Sequence, residues 1–149
     1  MAQQPPGSVA DLGARLAQVG RELGEREAAH ADALSAAHAC ADKLRARVES
    51  ALAEFHRAAS AAGAPHLRID LGEVRVDDKH LRSVQFDLAR GRHRAIVTAK
   101  SRGDVTLVGP FRAGKQEGPC LTFPADAEQE LEAALAGFLE RFLAEAASP

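Results

Sequence analysis

The chain has 149 residues, 46% of them hydrophobic and 27% charged, with a formal net charge of −2 at pH 7. This balance is typical of a folded protein and argues against a disordered one. No stretch approaches 18 consecutive apolar residues, so we expect no membrane-spanning segment.

The N-terminal residues 1–7 have neither the basic nor the apolar region of a signal peptide, and we predict a disordered tail there. Two cysteines far apart, without metal-ligand spacing, suggest reduced thiols and therefore a cytoplasmic protein. Arg outnumbers Lys by 15 to 4, which suggests a bacterial source with a GC-rich genome.

A helical period then runs through residues 8–62 without a proline, and Ser8 is a suitable N-cap. The apolar residues follow a heptad spacing that falters at Arg26 and His30 and resumes displaced by four residues. We predict a long, coiled-coil-like helix, with a break near Gly20–Gly24 as the alternative. A straight helix of this length would span about 80 Å, more than a compact domain of roughly 30 Å can cover.

The predicted interaction seam of this helix consists of Val9, Leu12, Leu16, Val19, Leu23, Leu34, Leu44, Val48 and Phe55. Apolar residues at this spacing share one face and pack against another helix. The expected partner is a second copy of the chain, as a homodimer, or another helical protein.

Gly63 and Pro65 end the helix, and the apolar period changes from 3.6 to 2. Short alternating segments joined by glycine turns predict an antiparallel meander of four or five strands. A final amphipathic helix, opened by Pro124 and Asp126, is expected to pack on that sheet. Residues 66–146 are thus predicted to form one sheet-and-helix unit, and the fold class is α+β.

Residues 66–119 carry eleven basic against seven acidic side chains, and residues 120–149 carry one basic against six acidic side chains. We interpret this distribution as an acidic helix beside a basic sheet.

The segment from Gly109 to Lys115 matches the first seven positions of a phosphate-binding P-loop. Gln116 replaces the hydroxyl residue that would hold Mg²⁺, and Gly118-Pro119 prevents the helix that should follow. We therefore interpret the segment as a hairpin loop. Arg112 and Lys115 remain candidates for contact with an anion. A small-molecule or anion-binding protein, or an enzyme, that uses Arg112, Lys115 and Glu117 is the first alternative function.

Other chemistry-bearing residues give no recognisable site. His30, His38, Cys40 and Asp42 lie on the long helix, but three of them cannot converge from a single helix, so we interpret the histidines as polar interruptions. Cys120 has no histidine nearby in sequence and is expected to be a buried strand residue. We predict no catalytic residue, no cofactor and no metal ion.

Arg90, Arg92 and Arg94 alternate and are expected to project from one face of a hairpin, where they could contact phosphates. No Tyr or Trp is present for base stacking, so nucleic-acid binding is only the second alternative. The leading hypothesis is a non-enzymatic interaction or adaptor module that self-associates or docks through its N-terminal helix.

Overall fold

The computed structural model describes residues 9–77, 82–114 and 118–147. The elements in chain order are helix α1 (Val9–Ala61), strands β1 (Asp70–Leu71), β2 (Arg75–Val76), β3 (Ser83–Arg90), β4 (His93–Lys100), β5 (Asp104–Arg112) and β6 (Cys120–Pro124), and helix α2 (Glu128–Ala146). The predicted α+β class, with a long N-terminal helix, an antiparallel sheet and a C-terminal helix, is confirmed.

Helix α1 is continuous over 53 residues, so the alternative of a break near Gly20–Gly24 does not occur. It ends just before Gly63, whose φ of +90° is a left-handed conformation that glycine adopts without steric cost.

Packing divides the chain into two compact units, Met1–Asp32 and Ala33–Pro149. Among the described residues, no helix combines the length and apolar character needed to cross a bilayer.

The sheet is antiparallel, with the order β1-β3-β4-β5-β6, and β2 also pairs with β3. The four strands β3 to β6 form the predicted meander, since each pairs with the next along the chain. Strands β1 and β2 have two residues each and extend one edge. The turn between β3 and β4 uses Gly91, which has a positive φ of 58°.

One face of the sheet is buried beneath both helices. Side chains alternate across a strand, so Phe86 and Leu88 of β3 point to this face together with their cross-strand partners Val97 and Ala95. The cluster is completed by Leu44, Val48 and Leu52 from α1 and by Leu131, Leu135, Phe138 and Phe142 from α2. The core therefore lies between the sheet and a layer of two helices.

Polar contacts fix both helices around this core. Arg45 of α1 donates from Nε to the Gly72 carbonyl at 2.8 Å, and the Ile69 amide donates to His56 Nε2 at 3.0 Å. Arg90 donates to the Ala146 carbonyl at the end of α2, where a cation also complements the helix dipole. Acidic residues of α2 pair with α1, through Lys43–Glu128 at 3.9 Å and Arg47–Glu132 at 3.5 Å.

The two halves of the α1 apolar stripe should differ sharply when truncated. Leu44→Ala removes a side chain that is 5% exposed and should lower the free energy of unfolding by about 2–5 kcal/mol. Leu16→Ala removes one that is 60% exposed and, in dilute solution, should change it by less than about 0.5 kcal/mol. Urea unfolding followed by circular dichroism measures both, and equal losses would contradict this division of the stripe.

Candidate interaction surface

An apolar stripe is exposed on the unit Met1–Asp32. The side chains of the stripe are exposed by 89, 55, 60, 46 and 51% for Val9, Leu12, Leu16, Val19 and Leu23, respectively. Residues three and four apart on a helix lie on one face, so these five form a single ridge, which we call the exposed stripe. Large apolar side chains grouped on a surface mark a site of interaction, whereas scattered ones do not.

The remaining seam residues lie inside the unit Ala33–Pro149. Leu44 and Val48 belong to the core beneath the sheet, Phe55 packs at its edge, and Leu34 packs against a smaller cluster that contains Val84. The first buried residue of α1 is Ala37. These four side chains are used by the chain's own fold, so the one seam inferred from the sequence divides into an exposed part and an internal part.

Charged and small residues flank the exposed stripe. Arg15 lies 4.0 Å from Asp11, and Glu22 accepts a hydrogen bond from Gln18 at 3.0 Å; both contacts are exposed. Such surface pairs contribute little to stability and are easily exchanged for others. Gly13 and Gly20 have open space where a Cβ would stand, so this flank presents backbone without side chains.

His38 and Asp42 of α1 contact each other but form no metal site with the other described residues. His38 Nδ1 lies 3.1 Å from Asp42 Oδ2, and the two side chains are 51% and 58% exposed. Within residues 9–77, 82–114 and 118–147, no group of three His, Cys, Asp or Glu side chains is placed to hold a metal ion. The pair is an exposed contact between residues one helical turn apart.

The two cysteines are free and have different surroundings. Cys40 is half-buried beside both hydrophobic clusters, and burial raises the pKa of its thiol, an effect that nearby Lys43 opposes. Cys120 is exposed, because β6 is an edge strand. The expectation that Cys120 is buried is therefore wrong, because residues 120–122 are all exposed on this edge strand.

The segment that resembles a P-loop begins inside β5, since this strand runs to Arg112 and pairs with β4 as far as Arg112. Gly109 has a φ of +116°, and a Cβ there would lie 3.0 Å from the Arg94 carbonyl oxygen, so only glycine fits. Its amide donates to the Pro119 carbonyl at 2.8 Å, which joins the two sides of the β5–β6 hairpin. Arg112 is exposed; Lys115 and Glu117 lie outside the described residues.

The hairpin arginines do not share one face. Arg90 pairs with His93, and Arg94 with Ala89. Because residues 89 and 90 point to opposite sides of the sheet, Arg90 and Arg94 do as well. Arg94 donates to the carbonyls of Gly91 and His93, and Arg92 lies in the turn. The predicted one-sided basic patch is therefore wrong, because the turn at 91–92 interrupts the alternation.

A cavity of about 630 Å³ lies on the sheet face opposite the helices. Its floor carries hydroxyl groups from β3, β4 and β5, and basic side chains stand around it. The lining residues are Asp77, Arg82, Ser83, Gln85, Thr98, Lys100, Ser101, Arg102, Thr106, Val108 and Cys120. Sequence reasoning missed this cavity, because its strand residues are the polar ones that alternate with buried apolar residues in any strand with one exposed face.

Comparison with known proteins gives no relative. No protein-family model matches the chain, and neither a curated protein nor a solved structure does.

The difference between the two thiols is measurable. Thiolate is the reactive form, so the raised pKa and the burial of Cys40 should slow its alkylation relative to exposed Cys120 at pH 8. Iodoacetamide labelling of the Cys40→Ser and Cys120→Ser variants, followed by mass spectrometry, gives each rate. Faster modification of Cys40 would contradict its half-buried position.

Proposed function

We propose that this chain is a non-enzymatic protein–protein interaction module that self-associates, as a homodimer, through the exposed stripe. The observation that carries the proposal is the exposure of five Val and Leu side chains, 46–89%, at heptad spacing on one helix. A ridge of this kind gains free energy when it packs against a second helix.

The helical stability of residues 9–32 supports this proposal. Most helical stability in proteins comes from packing of an apolar face rather than from propensity. Gly13, Gly20 and Gly24 each cost about 1 kcal/mol in a helix interior relative to alanine, and all three are placed within α1. A partner on the exposed stripe would offset this cost.

Docking onto another helical protein is the alternative occupant. The same ridge could lie in an apolar groove of a different chain, in the mode of an amphipathic helix. Self-association is preferred because the charges beside the stripe complement those of a second copy. The free thiols Cys40 and Cys120 suit a reducing compartment, which supports the cytoplasm as the location, and the Arg-rich composition supports a bacterial source.

The cavity on the open sheet face supports a second candidate function, the binding of a small acidic ligand. Among the described residues that line it, Arg82, Lys100 and Arg102 are basic and Asp77 is acidic. Arg102 is engaged with Asp104, so Arg82 and Lys100 are the principal candidates for contact with an anion. Hydroxyls at Ser83, Thr98 and Thr106 add hydrogen-bonding groups of the kind that orient ligands in such cavities. This candidate keeps the ligand class expected from the sequence but moves the site away from Arg112.

Self-association is tested by light scattering on a sizing column at two protein concentrations. The wild-type chain should have twice the monomer mass, and Leu16→Asp/Leu23→Asp should be monomeric because the seam would then bury charges. The matched control Ala14→Asp/Ala28→Asp places the same charges on the opposite helical face and should remain dimeric.

Circular dichroism of both variants checks that each is folded. A wild-type monomer at all concentrations would refute self-association and direct attention to a heterologous partner. A dimer that survives Leu16→Asp/Leu23→Asp would show that the exposed stripe is not the interface.

The second candidate is tested by calorimetric titration with inorganic phosphate and citrate. Lys100→Gln should weaken binding by about tenfold or more, because a charge-assisted contact contributes about 1.5–3 kcal/mol. Arg68→Gln, an exposed cation outside the cavity, is the matched control and should leave binding unchanged. The absence of heat with either anion, or equal loss in both variants, would count against an anion site here.

A further inference from the structure

We infer that the exposed stripe pairs with a second copy of itself in an antiparallel, two-fold arrangement centred between residues 17 and 18. This inference rests on the proposed function and adds the orientation and register of the pairing. Symmetry of this kind requires the patch to be complementary to itself. Apolar layers form in either orientation, but the charged residues beside the stripe satisfy that requirement in one orientation and not in the other.

The apolar layers define the register. The heptad spacing puts Val9, Leu16 and Leu23 at the first apolar position of each repeat and Leu12 and Val19 at the second. In an antiparallel pair the first position of one helix faces the second position of the other. Leu16 then faces the second copy's Val19, and Leu23 faces its Leu12. The two-fold axis repeats both contacts, which gives four consecutive layers that contain only Leu and Val.

The charges beside the stripe distinguish the two orientations. Arg15 and Glu22 each stand immediately before a first-position residue, on the same flank. An antiparallel pair brings these flanks together, so Arg15 lies beside the second copy's Glu22, and the symmetric contact repeats it. A parallel pair instead puts Glu22 beside the second copy's Glu27, an acidic pair that repels, and Arg15 beside Gly20, which has no side chain.

The other flank permits close approach. Gly13 and Gly20 each follow a second-position residue, and antiparallel pairing places Gly13 of one copy opposite Gly20 of the other. Both glycines have open space at the Cβ position, and because glycine has no side chain, the two helix backbones can approach closely there. The contacts that Arg15 and Glu22 make within their own helix, with Asp11 and Gln18, are exposed and weak enough to be replaced.

Charge reversal tests the orientation in the full chain. Arg15→Glu should create two Glu–Glu contacts in the antiparallel dimer, and Glu22→Arg two Arg–Arg contacts. Each single variant should therefore raise the dimer dissociation constant by roughly tenfold. The double variant Arg15→Glu/Glu22→Arg restores both attractive contacts and should return the constant to near the wild-type value.

A mixture of the two single variants gives a second readout. A heterodimer of Arg15→Glu with Glu22→Arg has opposite charges at both contacts, so its share should clearly exceed the statistical one half. Analytical ultracentrifugation measures the constants, and differently tagged chains measure the share of heterodimer. Arg21→Glu, on the helix face away from the stripe, is the matched control and should leave the constant unchanged.

Each other outcome overturns the inference in an identifiable way. Tighter association of Glu22→Arg with no effect of Arg15→Glu would indicate parallel pairing, and equal affinities for all variants would exclude this register; both results leave self-association intact. A wild-type chain that stays monomeric would overturn the inference together with the proposed self-association.

Discussion

The packing of Leu44, Val48 and Leu52 against the sheet is the contact on which the rest of the structure depends. A sheet with one apolar face must cover that face, and α2 supplies only part of the layer required. The remaining part comes from α1 between Ala37 and Leu52: Leu44, Val48 and Leu52 share the main cluster with Phe86, Leu88 and Phe142, and Ala37 and Ala41 form the smaller cluster with Val84 and Ala99. Because the helix continues to Val9 with apolar residues in a heptad pattern that is displaced by four residues, the use of its C-terminal half in the core leaves the apolar residues of its N-terminal half exposed.

The opposite face of the sheet is polar, and neither helix covers it within the described ranges. Thr98, Thr106 and Thr122 continue across three neighbouring strands, and Thr106 and Thr122 are 3.2 Å apart through their hydroxyls. An antiparallel sheet can leave one such face to solvent. The described residues therefore present an apolar surface on the helix and a polar one on the sheet.

The fold could be largely predicted from the sequence, whereas the division of the seam could not. The change of period after Gly63 and the glycine turns identify the helix and the meander, because each depends on neighbouring residues alone. Leu44 and Leu16 both occupy apolar positions of a heptad spacing, since packing on a sheet and packing on another chain select the same spacing. The side of the sheet to which Arg90 and Arg94 each point depends on which two residues form the turn. The pairing of the two whole strands determines those residues, not the local sequence. For the same reason the cavity beside Lys100 has no signature in the order of its residues.

In the proposed dimer, association and helix formation would be coupled by the composition of residues 9–32. Three glycines lower the intrinsic stability of this segment, and its first buried side chain is Ala37. The four Leu and Val side chains of the proposed layers would supply the opposing term when they are covered, but association also loses translational and rotational freedom, about 4–15 kcal/mol. In the proposed dimer the charges of Arg15 and Glu22 would act mainly on orientation, because exposed ion pairs contribute too little to decide whether two helices associate but enough to decide how they align.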